Sequence, residues 1–74
     1  MNKKTLKAAA SLRAYQIAED NHAAALVAHA FRTPSEVFAG GRSPERAAAL
    51  GAAYLASKAA LEIARKAAQE DSSK

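Results

Sequence analysis

Seventy-four residues without a cysteine make one small domain, with no disulfide framework and no thiol chemistry. Half the residues are nominally hydrophobic, but 22 of them are alanine, which leaves too few large apolar side chains for a self-sufficient core. Eleven Lys and Arg against seven Asp and Glu give a formal charge of +4, which permits an acidic partner without requiring one.

The opening residues, Met1-Asn2-Lys3-Lys4-Thr5-Leu6-Lys7, start like the basic lead of an export signal. The apolar run behind them, Ala8 to Leu12, stops at Arg13 and is too short for one. No stretch reaches the ~20 consecutive apolar residues of a membrane span. The expectation is a cytoplasmic protein with no membrane partner.

Residues 5–32 are predicted to form the first helix, rich in good helix formers and uninterrupted by Gly or Pro. Asn2 or Thr5 caps its start. It ends near Arg32, because Thr33 precedes Pro34 and is pushed out of helical geometry. Leu6, Ile17, Val27 and Phe31 share one side of this helix, and Leu12, Tyr15 and Leu26 an adjoining side. So broad an arc suits a helix that touches more than one neighbour. Arg13, Gln16 and Asp20 fall inside it, read as partial solvation ahead of a polar interface layer.

Residues 33–43 are the predicted corner and hold the tightest cluster of turn residues, including Pro34, Gly40 and Gly41. Thr33-Pro34-Ser35-Glu36 is a capping box with proline at the first helical position. It starts a short helix over 34–39, which Gly40-Gly41 stops. Ser43-Pro44-Glu45 then starts the second long helix, predicted over 44–69, with a frayed polar tail over 70–74. Ala47, Leu50, Tyr54, Leu61, Ala64 and Ala68 make one seam along it. Beside that seam run Ala49, Ala53, Ala56, Ala60 and Ala67, matched on the first helix by Ala14, Ala18, Ala25 and Ala28. Gly51 costs such a helix about 1 kcal/mol, which suggests a close backbone approach.

The chain therefore reads as all-α: an antiparallel helical hairpin with a short helical turn at the corner, dimerising into a four-helix bundle to complete its core. Charges select a register, pairing Lys7 with Glu70, Arg13 with Glu62, Glu19 with Lys58, and Arg32 with Glu45. In layout the chain resembles the small helical co-chaperones of type III secretion needles, which are hairpins with a glycine-containing bend. That resemblance implies a protein-binding role.

Function is less legible than architecture. Glu19 and His22 form a Glu-x-x-His, the spacing that carboxylate-bridged di-metal bundles use, and Glu62 would be an extra carboxylate. The simpler reading pairs Glu19 with His22 at the surface and neutralises Glu62 with Arg13, so no metal or cofactor is expected. Lys3, Lys4, Lys7, Arg65 and Lys66 gather at the open end and are the candidate contacts for RNA or DNA, although Glu62, Glu70 and Asp71 dilute their charge. There is no phosphate loop and no Ser-His-Asp constellation, so no enzymatic activity is expected. The leading expectation is a small helical adaptor that binds another protein to regulate, inhibit or chaperone it, of the size that phages and plasmids carry. Val37, Phe38 and Arg42 at the corner are its candidate contacts, with Phe38 more simply folded back beneath the corner.

Overall fold

The computed structural model describes residues 2–72. Three helices follow one another: α1 (Lys3–Ala30), α2 (Pro34–Phe38) and α3 (Pro44–Ser72). Contacts between Ser11 and Asp71 and between His22 and Ser57 lay α1 and α3 antiparallel, so the two long helices form a hairpin. These residues form helices and turns and no strand.

The helix limits differ from expectation at four points. α2 stops at Phe38, one residue before the expected 39, with Ala39 as its C-cap, and the other three also have local causes. α1 begins at Lys3 because Asn2 is the cap, its side chain accepting from the Thr5 backbone N–H at 2.8 Å. It ends at Ala30, earlier than the proline rule requires, because Phe31 is already extended (φ −110°, ψ 144°). α3 runs through Ser72, where fraying from residue 70 was expected. The Ser11 hydroxyl donates to the Asp71 carboxylate, Lys7 Nζ lies 3.7 Å from the same group, and the Ser72 hydroxyl donates to the Ala68 carbonyl. The last two residues of the expected tail lie outside the described part.

The corner is built by its own residues. Thr33 and Glu36 complete the capping box, with Thr33 Oγ1 accepting from the Glu36 N–H and the Glu36 carboxylate accepting from the Thr33 N–H. At the other end of α2 the Gly40 N–H bonds the Val37 carbonyl and the Gly41 N–H bonds the Glu36 carbonyl, a Schellman motif. That closure holds Gly40 at φ 84° and Gly41 at φ 137°, where a side chain would be strained. Ser43 then caps α3 by accepting from the Arg46 N–H at 3.2 Å.

Size complementarity, more than hydrophobicity, sets the packing of α1 on α3. The half-buried residues of α1 are Ala8, Ser11, Tyr15, Ala18, His22 and Ala25, and those of α3 include Leu50, Tyr54, Ser57, Leu61, Ala64, Ala68 and Asp71. Both sets alternate steps of three and four, the repeat of helices that stay in contact along their length. Taking His22 and Ser57 as one level, the same steps set Tyr15 beside Ala64, Ala18 beside Leu61 and Ala25 beside Tyr54. A large residue meets a small one at each of these levels. The alanine column of Ala49, Ala53, Ala56, Ala60 and Ala67 lies to one side and stays exposed.

This register replaces the one that charge pairing suggested. Lys7 pairs with Asp71, and Arg13, Glu19, Arg32, Glu45, Lys58 and Glu62 make no ion pair among the described residues. Arg13 lies on the side of α1 turned away from α3, so it cannot reach Glu62. Gly51 is also not needed for close approach, because a Cβ built there would meet His29 Cε1 at an ordinary 3.8 Å.

No apolar side chain is fully buried among the described residues, and ten large ones stand exposed. The molecule measures 56 × 17 × 13 Å with a radius of gyration of 16.8 Å, against about 11 Å for a globule of this length. It exposes 5612 Å², whereas a folded monomer of 7.7 kDa exposes about 4,300 Å². About 1,300 Å² more surface meets solvent than a chain of this mass ordinarily leaves uncovered.

Candidate functional site

The one buried residue among those described is charged. Glu36 retains 8% of its exposure, and its carboxylate accepts from Thr33 N–H at 2.8 Å, Arg42 Nε at 3.0 Å and Arg46 Nε at 2.7 Å. The Thr33 N–H, then the Arg42 and Arg46 guanidinium groups, outweigh partial desolvation and hold its pKa down at about 2. Arg42 also donates to the carbonyls of His29 at 2.8 Å, Ala28 at 3.1 Å and Phe31 at 2.7 Å. A cation thus caps the carbonyl end of α1, where the helix dipole favours it. Arg42 was expected as a contact for another protein; the structure uses it to tie α1, α2 and, through Glu36 and Arg46, the first turn of α3.

The other corner candidates point outward. Phe38 is 91% exposed and Val37 is exposed beside it, so Phe38 does not fold back beneath the corner as the simpler reading had it. The Schellman closure lifts the end of α2 clear of both long helices, and no other helix packs against it.

The three residues considered for a metal are not brought together. His22 lies in the hairpin interface, its Nδ1 3.1 Å from Ser57 Oγ. Ser57 spends its proton on the Tyr54 carbonyl at 2.8 Å, so Nδ1 of His22 is the donor of that bond. Glu19 and Glu62 are exposed, and no group of three His, Asp or Glu with ligand spacing occurs among the described residues. His22 and His29 sit two turns apart with the Tyr54 ring between them, centroid distances being 5.3 and 5.4 Å. This aromatic stack across the interface was not anticipated.

The basic residues of the open end divide among different surroundings. Lys4 and Lys7 line a small cleft with Glu70 and Asp71, and Lys7 is paired there. Arg65 instead lines a groove of about 520 Å³, with Ala8, Ala9, Leu12, Tyr15 and Ala68. The groove opens where Ala8 and Ala68, both small, leave the helices unfilled. Helical periodicity turns Lys66 to the far side of α3, away from these groups. Lys3, Lys4, Lys7, Arg65 and Lys66 therefore do not form one continuous basic face.

What does form a continuous face is the outside of α1. Leu6, Ala10, Arg13, Ile17, Asp20, Ala24 and Val27 follow steps of four and three without a break, Phe31 stands just past the helix end, and all are exposed. They lie about half a turn from the residues that meet α3. Ile17 is 51% exposed and Phe31 69%. Leu55 and Ile63 stand exposed on α3. That helix is long and apolar enough, by length and composition, to cross a membrane. Lys58 at its centre would cost about 3 kcal/mol in a bilayer, more than the roughly 2 kcal/mol gained from its Leu and Ile residues. No protein-family model matches this chain, and no curated protein or solved structure matches it.

Proposed function

We propose that the chain is a small non-enzymatic helical adaptor that works by lending its exposed faces to other helices. The partners are a second copy of itself, giving an assembly of four long helices, and another protein that it regulates, inhibits or chaperones. The observation that carries this reading is the surface itself: about 1,300 Å² in excess of an ordinary monomer, with ten large apolar side chains exposed. A standard association interface takes about 800 Å² from each partner. Two of the side chains able to handle protons are committed to structure: Glu36 to two arginines and His22 to Ser57.

The test is whether folding depends on concentration. A hairpin stabilised by association melts at a higher temperature as it is concentrated. Thermal melts followed by far-ultraviolet circular dichroism over a hundredfold concentration range are expected to show Tm rising throughout. A concentration-independent, cooperative melt of a monomer would refute the reading.

A further inference from the structure

We infer that two copies pair antiparallel through the outer face of α1, with Arg13 of each facing Asp20 of the other. This deepens the association reading above and rests on it. The first argument is the spacing. The face from Leu6 to Val27 keeps the same alternation of three and four that α1 uses to contact α3, so it can hold a second helix along that length.

The second argument is charge. Only two charged residues stand in that seam, Arg13 and Asp20, of opposite sign, four and three residues either side of Ile17. Reversing the helix about Ile17 therefore lays arginine against aspartate twice, with Leu6 at the level of Val27 and Ala10 at that of Ala24. A parallel pair would set arginine against arginine and aspartate against aspartate, which is unfavourable. A foreign helix would need a base and an acid in the reverse order; the chain already supplies both. The uncovered area, about 1,300 Å² against a need of about 800 Å², is ample for such a contact. Because the seam lies opposite α3, the dimer is a flat layer of four helices in the order α3, α1, α1, α3. Such a layer differs from the closed four-helix bundle expected from sequence.

Sedimentation equilibrium of Arg13→Glu, Asp20→Arg and their equimolar mixture tests this, with circular dichroism confirming that helicity is kept. Each variant alone sets like charges together and is expected to dimerise about tenfold more weakly than wild type. The mixture restores both attractions and is expected to dimerise as wild type does. Since the chain has no cysteine, Ile17→Cys should form a disulfide-linked dimer on mild oxidation, and Leu6→Cys should not. If wild type dimerises but the two charge variants do so equally well, the face is misassigned while the association reading stands. If the Leu6→Cys protein crosslinks as readily as Ile17→Cys, the orientation is wrong. A wild type that stays monomeric at millimolar concentration removes both the inference and the reading beneath it.

Discussion

Glu36 is the residue on which the reversal of the chain depends. Its pKa of about 2 lies below the ordinary 4.5, so its contribution to stability is complete above pH 4.5. That contribution is lost as the pH falls toward 2. Acid titrations followed by circular dichroism are therefore expected to show wild type losing stability across that window. Glu36→Gln should be less stable at neutral pH and should lack that part of the pH dependence. Arg42→Lys should lower stability by about 2 kcal/mol in chemical denaturation, since one ammonium cannot reach three carbonyls and a carboxylate together. The capping role of Glu36 was legible from Thr33-Pro34-Ser35-Glu36, because capping boxes are written in adjacent residues. The arginine tie was not. Its acceptors on Ala28, His29 and Phe31 are backbone carbonyls, and any residue type offers those.

At the scale of the helices, the seam of α3 was legible from Leu50 onward, since Leu50, Tyr54, Leu61, Ala64 and Ala68 are all half-buried, while Ala47, expected to begin it, is exposed. Its partner seam on α1 was legible only at Ala18 and Ala25, whereas Ala14 and Ala28, expected beside them, are exposed. Ser11, Tyr15 and His22 carry polar atoms, and a pattern search for apolar residues follows Leu6, Ile17, Val27 and Phe31 to the opposite face. The signal lay in side-chain size, with small residues facing large ones across the pair. The same packing makes a prediction at Gly51, where the helix gives up propensity and gains no closeness. Gly51→Ala should raise stability by about 0.5–1 kcal/mol in urea denaturation. A loss of stability there would mean that α1 lies nearer to this point of α3 than an ordinary contact allows.

For the molecule as a whole, the hairpin presents different surfaces at its two ends and along its edges. Phe38 crowns the corner while the apolar groove opens near the first turns of α1. Phe38→Ser should leave the Tm of the isolated chain unchanged, because so exposed a ring contributes little to folding. It should weaken capture of a protein partner if the corner is the anchor, as competition between wild-type and variant chains on an immobilised partner would measure. The exposed apolar side chains have a further consequence for the cell. A copy that finds no companion keeps its greasy flanks in water and opens more often, so proteases and chaperones meet it first. If the chain associates as proposed, its abundance should follow how much companion is made, with any surplus cleared.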